Sequence, residues 1–398
     1  MKLLKIGITG QPGFVGTHLY NTLGLYPNIF ERIPFEDAYF SDKNRLEEFV
    51  QRCDAIVHLA AMNRHNDPEV LYQTNIGLVN QLISACESTK STPHILFSSS
   101  TQEERDNLYG RSKKEGRELL EQWAERNGSQ FTGLVIPNVF GPFGHPYYNS
   151  VVATFCHQLT HNETPKIEVD GEVKLIYVGE LVEAIIEKII GTPMTQIKLM
   201  NADNKIYKNL SDQCHQRSIG VYQVPYTSEI KVSALLQKLT EFKESYFEKG
   251  ILPNLDNPFD RNLFNTFLCY IDHSTFFPFK LKLNTDERGS FVETVKLNSG
   301  GQVSFSTTVS GITRGNHFHT RKAERFAVIK GKARIDLRKI GTDKMLSFEL
   351  DGNQPSFVDM PIWYTHNITN IGDDELYTIF WINEHYNPND GDTYFEKV

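Results

Sequence analysis

Thr9-Gly10-Gln11-Pro12-Gly13-Phe14-Val15-Gly16 follows the apolar run Leu3–Thr9 and opens a helical pattern that continues to about Leu23. The three glycines are spaced GxxGxxG. Glycine lets a backbone turn tightly and approach a ligand closely, and the helix that follows offers unpaired N–H groups at its N-terminus. A strand, a glycine loop and a helix in that order form a cradle for a pyrophosphate. A plain glycine-rich turn is the ordinary alternative, and the flanking strand and helix weigh against it. Gly10, Gly13, Phe14, Val15 and Gly16 are therefore the candidate cofactor contacts.

Working outward, the pattern continues as alternating strands and helices. Ala55–Ala61, Ile95–Ser99 and Phe131–Val139 read as strands, and Pro68–Ser88 and Tyr109–Asn127 as helices. Such alternation predicts a parallel sheet covered on both faces. Ser150–Thr164, Val178–Ile190 and Ser233–Lys249 also look helical, and Gly250–Asp260 reads as a loop. After about Ser274 the texture changes. Gly289–Lys296, Gln302–Ser310, Arg325–Ile329, Lys332–Leu337 and Leu376–Ile382 are short runs bounded by Gly, Asn and Asp. That is an all-β pattern with hairpin spacing. The boundary is placed near residue 273, giving domains 1–273 and 274–398.

The bulk numbers agree with two domains, since 398 residues exceed the roughly 250–300 that one core usually serves. With 39% apolar and 23% charged residues the chain has an ordinary globular composition. A net charge of -8 argues against nucleic acid as a main partner. Cys53, Cys86, Cys156, Cys214 and Cys269 are scattered and never form a CxxC pair, which predicts reduced thiols and a cytoplasmic location. The N-terminus does not read as a signal peptide, and no apolar stretch is long enough to span a membrane.

Tyr109-Gly110-Arg111-Ser112-Lys113 places a phenol and an ammonium four residues apart on one helix face. A nearby ammonium favours the phenolate, so the expectation is a lowered Tyr109 pKa. Tyr109 would exchange a proton with a carbonyl or alcohol oxygen while hydride moves. Ser98-Ser99-Ser100-Thr101 ends the preceding strand and offers a hydroxyl to the same oxygen. Ser100 fits best by offset, with Ser99 and Thr101 as alternates.

In the second part, His317 and His319 are two apart and point the same way on a strand. Glu324 on the next strand and His366, at the end of Pro361-Ile362-Trp363-Tyr364-Thr365-His366, can reach the same point. Three imidazoles and a carboxylate suit a divalent ion with room for substrate.

The first part resembles the extended short-chain dehydrogenase/reductases that act on nucleotide sugars. The resemblance rests on the glycine loop, Tyr109/Lys113, His58-Leu59-Ala60-Ala61, Asn75 and Pro137-Asn138-Val139-Phe140-Gly141-Pro142. It implies a Rossmann-type α/β fold, with Leu59 and Ala60 lining the cofactor, Pro137 near the nicotinamide and Asn138 facing the sugar nucleotide. Tyr177-Val178-Gly179-Glu180 departs from it, because relatives usually carry aspartate at the glycine. Glu31-Arg32 holds both an acid and a base at the position that reads the ribose. The second part resembles both halves of the cupin motif and implies a jelly roll; here Trp363 stands where glycine is usual.

Together the two parts resemble the bifunctional enzymes of bacterial capsule and O-antigen synthesis, of the CapF/WbjC type. Tyr148-Asn149-Ser150-Val151-Val152-Ala153-Thr154-Phe155-Cys156, Asp286-Glu287-Arg288-Gly289-Ser290-Phe291, Asn383-Glu384 and Asp392-Thr393-Tyr394 extend the likeness. The resemblance implies NADPH as cofactor, with Arg32 at the 2′-phosphate, one Zn2+ per chain and a homodimer. It also implies a UDP-linked 4-keto-6-deoxy amino sugar as substrate, epimerised at C3 by the cupin and reduced at C4 by the reductase. Tyr364 and His385 are both candidates for the epimerase base. A single-activity reductase with a non-catalytic cupin module is the alternative.

Overall fold

The apolar runs of the first part become buried parallel strands. The computed structural model describes residues 3–191, 193–194, 218–287, 289–388 and 390–398; Cys214 and Arg288 lie outside the described residues. Strands β1 (Leu4–Thr9), β2 (Phe30–Ile33), β3 (Ala55–His58), β4 (His94–Ser100), β5 (Phe131–Ile136), β6 (Asn138–Phe140), β7 (Glu172–Tyr177) and β8 (Ile219–Gln223) occur in that order. Six of them form one sheet in the order β2-β1-β3-β4-β5-β8, and every pairing is parallel. β3 and β5 are buried along their whole length, as parallel strands covered on both faces must be.

Helices α1 (Phe14–Gly24), α2 (Lys43–Arg52), α3 (Pro68–Thr89) and α4 (Leu108–Asn127) follow the first strands; α5 (Val151–Thr160) belongs to the second unit, and α6 (Val178–Ile190) returns to the first. Two apolar cores flank the sheet. One holds Ile6, Ile8, Leu19 and Leu134 with Ile185, and the other Phe49, Ile56, Leu82 and Trp123. The expected single strand Phe131–Val139 is two strands instead. Proline lacks an N–H to donate, so the chain leaves the main sheet at Pro137, and β6 pairs with β7 in a separate one.

The compact units are residues 1–140, 147–150 and 173–229, and residues 141–146, 151–172 and 230–398. The second unit contains α5, α7 (Val232–Phe242) and α8 (Pro258–Leu268) together with the β domain. Helix α8 begins inside the stretch expected to be a loop. Asn257 caps it, accepting from the Phe259 N–H at 2.8 Å, and Pro258 occupies the first turn, where a missing N–H costs nothing.

Strands β9 (Gln302–Thr308), β10 (Thr313–Phe318), β11 (Glu324–Lys330), β12 (Lys332–Lys339), β13 (Met345–Asp351), β14 (Ser356–Met360), β15 (Tyr364–Asn370) and β16 (Leu376–Ile382) form two antiparallel sheets. One runs Phe279–Lys280, β14, β11, β16, β9; the other β13, β12, β15, β10, Tyr394–Phe395. Ala327, Val328, Ile335, Leu337, Phe357 and Ile368 form the core of this jelly roll.

One buried ion pair ties the helical part of this unit to the β part. The Arg325 guanidinium donates to both Asp359 oxygens at 2.7 and 2.8 Å and to the Gly250 carbonyl at 2.8 Å. The Tyr246 hydroxyl donates to Asp359 at 2.6 Å, and Arg325 stacks over the Phe357 ring at 3.6 Å. Arg325 is 1% exposed and Asp359 3%. Asp359→Ala would leave a buried guanidinium without its counter-charge, so it should cost about 3–5 kcal/mol in denaturant unfolding. Lys43→Ala, which breaks an exposed pair with Glu47, should cost under about 1 kcal/mol.

Candidate active sites

The glycine loop has the close packing that its spacing requires. Gly10 has φ +70°, and a Cβ there would lie 2.8 Å from the Ala60 backbone nitrogen. A Cβ on Gly16 would lie 2.4 Å from the Gly10 carbonyl oxygen. The Leu59 N–H donates to the Thr9 carbonyl at 3.2 Å, so the segment after β3 lies beside the end of β1. Gly13 caps α1 without a side-chain hydrogen bond, which leaves the first N–H groups of the helix open to an anion. These residues fit a dinucleotide pyrophosphate. His58 lies beneath the loop, fully buried and bonded through Nδ1 to Thr9 Oγ1 at 2.6 Å, and burial pushes its pKa down to about 3.

Arg32 lies along the flank of α1. Its guanidinium donates to the Tyr20 carbonyl at 3.2 Å and stacks over the Tyr20 ring at 4.2 Å. Asn138 is exposed and donates to the Lys174 carbonyl at 3.3 Å, and Pro137 joins β5 to β6. A Cβ at Gly179 would meet the Tyr177 ring at 2.9 Å, so this turn has no room for the aspartate usual in relatives unless that ring moves. Glu180 caps α6, accepting from the Tyr177 N–H at 3.2 Å and the Thr227 hydroxyl at 2.6 Å.

Helix α4 starts just ahead of Tyr109 because Asn107 caps it, accepting from the Gly110 N–H at 2.7 Å. Lys113 is buried, donates to the Ser98 carbonyl at 2.9 Å and lies 5.9 Å from the centroid of the Tyr109 ring. Burial lowers its pKa to about 8. Ser100 hydrogen-bonds the Tyr109 phenol. Of its alternates, Ser99 donates instead to Glu103, which Arg117 also holds, and Thr101 opens a short 3-10 turn. Asn75 is a brace: it bonds the Met62 N–H at 2.7 Å, the Met62 carbonyl at 3.1 Å and the Ser112 hydroxyl at 3.1 Å.

The pKa of Tyr109 runs opposite to the expectation. Burial pushes it up to about 12, against the pull of the Ser100 hydrogen bond, and Tyr148 adds to the rise. The phenol is therefore neutral near pH 7. That is the form that can give a proton to a reduced carbonyl oxygen.

In the β unit, His317, His319, Glu324 and His366 each present one ligand atom, and all four atoms lie within 4.8 Å of one another. Glu324 Oε2 is 3.2 Å from His319 Nε2, 3.1 Å from His366 Nε2 and 3.9 Å from His317 Nε2. Three of these atoms, His319 Nε2, His366 Nε2 and Glu324 Oε2, are buried yet lack a hydrogen bond of ordinary alignment. A divalent ion would satisfy them, so the residues fit a metal.

Burial works against the Glu324 carboxylate, but the neighbouring imidazoles of His319 and His366 outweigh it and hold its pKa well below the usual range. His317 is lowered to about 4 by burial and by the other two imidazoles. A neutral imidazole and an ionised carboxylate are the forms that ligate.

Local backbone brings these residues together. Asn316, at φ +63°, forms a bulge between Gly315 and His317 that sets His317 opposite His366. Trp363 adopts φ +61°, a left-handed conformation that glycine takes more readily; its N–H donates to the His319 carbonyl at 2.8 Å and its ring stacks on Phe318. Tyr364 packs against His273 and Phe143, at 5.3 and 6.2 Å between centroids, and His385 is exposed.

Known proteins resemble the chain in both parts. The NAD dependent epimerase/dehydratase family matches residues 6–189, and the polysaccharide biosynthesis C-terminal domain matches residues 284–394. The UDP-2-acetamido-2,6-beta-L-arabino-hexul-4-ose reductase of Pseudomonas aeruginosa is 33% identical over 393 residues, which is 98% of each chain. The crystal structure of the capsular polysaccharide assembling protein CapF from Staphylococcus aureus is 35% identical and covers 99% of this chain and 100% of its own, with a TM-score of 0.60. CapF solved with the inhibitor 3-isopropenyl-tropolone matches over 99% of this chain and 100% of its own, at 33% identity and a TM-score of 0.56. From end to end, the chain belongs to the family of two-part nucleotide-sugar reductases that includes these two proteins.

Proposed function

We propose that the chain is a bifunctional enzyme acting on UDP-2-acetamido-2,6-dideoxy-4-hexulose, with zinc in the cupin and NADPH in the reductase. The cupin epimerises C3, and the reductase then converts the C4 ketone to UDP-2-acetamido-2,6-dideoxy-L-talose, on the route to UDP-N-acetyl-L-fucosamine. The reading extends to a cytoplasmic homodimer. Among the described residues no helix is long and apolar enough to cross a membrane.

The observation that carries the two-activity reading is the His–Glu cluster. Burying unsatisfied imidazole and carboxylate atoms is costly unless an ion completes them. A divalent ion held there would polarise the C4 ketone and make the C3 proton acidic. His317 is 25% exposed where His319 is 3%, so the cluster opens toward substrate on the His317 side.

In the reductase, NADPH would supply hydride to C4. Tyr109 donates its phenolic proton to the C4 oxygen as the hydride arrives. Ser100 holds the phenol, and buried Lys113 places a cation behind it. The choice of NADPH rests on the family resemblance; Arg32, the residue it sets at the 2′-phosphate, has to free its guanidinium from the Tyr20 carbonyl.

Tyr109→Phe keeps the ring and removes the acid. It should cut NADPH oxidation with the 4-keto substrate by about 100-fold or more while leaving NADPH binding nearly unchanged. Normal turnover in this variant would remove Tyr109 from the mechanism.

Elemental analysis should find about one zinc per chain, lost in His317→Ala and in His366→Ala. Metal content unchanged in both variants would rule out this ligand set.

The two-activity reading is tested without NADPH, in D2O, by following C3 of the 4-keto substrate by NMR. Deuterium should enter C3, and the exchange should survive Tyr109→Phe and fail in His317→Ala. Exchange at the background rate of the free ketone would leave the cupin as a metal-stapled module and the chain as a single-activity reductase.

A further inference from the structure

We infer that the C-terminal segment 390–392 is part of the metal centre, with Asp392 as the positioning residue that aims His319 at the ion. The inference rests on the metal reading above and goes beyond its ligand set.

Each of the three imidazoles is engaged by a backbone group, through Nδ1 in His319 and His366, and each turns Nε2 toward Glu324. For His317 that group belongs to Gly315, and for His366 it is the Tyr364 carbonyl at 3.2 Å. Both lie two residues away, so these rings are oriented by their own strands. His319 differs. Its Nδ1 meets the carbonyl of Asp392, 73 residues further along the chain. A ring nitrogen that bonds a carbonyl oxygen must carry the proton, which leaves Nε2 free to ligate. The tautomer and direction of this ligand are therefore set by the tail.

The tail is built to hold that carbonyl still. The Asp392 carboxylate accepts from the Thr320 N–H at 3.1 Å, the Thr320 hydroxyl at 2.6 Å, the Arg321 N–H at 3.0 Å and the Lys322 N–H at 3.1 Å. All of these donors belong to the three residues directly after His319. Lys322, 2% exposed, donates to the Gly391 carbonyl at 2.7 Å, and Arg321 pairs with Asp390 and Glu384. Asp392 itself is 6% exposed and takes φ +43°, a left-handed conformation that disfavours most residues other than glycine, asparagine and aspartate. A merely decorative tail would not bury a lysine and an aspartate against the residues that follow a ligand. Metal binding and tail docking are thus coupled, and by linkage each stabilises the other.

The test uses the full chain, with zinc affinity measured by competition against a chromogenic chelator. Asp392→Asn should weaken zinc binding by about 10-fold or more. It should also narrow the gap in melting temperature between the zinc-loaded and chelator-stripped protein. Glu396→Gln breaks the tail's ion pair with Arg338, away from His319, and should leave affinity within about 2-fold. In the wild type, stripping zinc should speed hydrogen exchange at the amides of Thr320, Arg321 and Lys322, read by mass spectrometry. Unchanged zinc affinity in Asp392→Asn, with equal falls in both melting temperatures, would make Asp392 a structural brace and overturn the inference. Unchanged exchange at those amides would do the same. A wild-type chain that binds no divalent ion overturns the metal reading itself, a result seen before any variant is made.

Discussion

The second unit depends on Arg325. A guanidinium loses several kcal/mol of hydration when it is buried, and only near-complete satisfaction offsets the loss. Arg325 gets it from both Asp359 oxygens, the Gly250 carbonyl and the Phe357 face. Because a strand alternates its faces, the residue before it points the other way. That residue is Glu324. The bond that fixes β11 against the helical segment on one side therefore fixes the carboxylate of the His–Glu cluster on the other. Tyr246, beyond the end of α7, joins the same Asp359, so the helical part of this unit braces the strand that carries Glu324 from behind.

What could be read from the sequence was whatever depended on neighbours along the chain. The glycine loop, the Tyr109/Lys113 spacing and the His317/His319 pair are periodic or local; the loop and the Tyr/Lys pair lie in the expected elements, whereas His319 lies one residue past the end of β10. The parallel sheet was legible because both-sided burial makes β3 and β5 continuous apolar runs. Helix α8 was missed although Asn257 and Pro258 announce it, because the Pro, Asn and Asp that cap a helix also read as loop. Strands β13 and β14 were missed too. Met345–Asp351 carries charges at Glu349 and Asp351, and Ser356–Met360 owes its burial to Phe279–Lys280 and β11, neither of which is adjacent in the chain.

The less legible part was long-range. Nothing near His319 announces that its partner is Asp392, and nothing near Arg325 points to Asp359 or Gly250. The departures from the family patterns were visible, but their meaning was not. Trp363 stands where the cupin pattern usually has glycine. The backbone takes the left-handed conformation there, and the indole stacks on Phe318, next to His317 of the His–Glu cluster. A non-glycine residue at φ +61° carries a strain of order 1 kcal/mol or more, and the buried ring is what can offset it.

The pKa of Tyr109 is the case in which spacing predicted the wrong sign. Four residues of helix bring Lys113 near, and proximity alone argues for a phenolate. The same approach buries both groups, and desolvation disfavours the charged form of each: the phenol rises to about 12 and the ammonium falls to about 8. Lys113 also gives a hydrogen bond to the Ser98 carbonyl rather than to the phenol. The balance suits the direction of the reaction. An oxidation that begins at an alcohol needs a base, whereas reduction of a ketone needs an acid that still holds its proton. A neutral phenol, desolvated and bonded to Ser100, is such an acid.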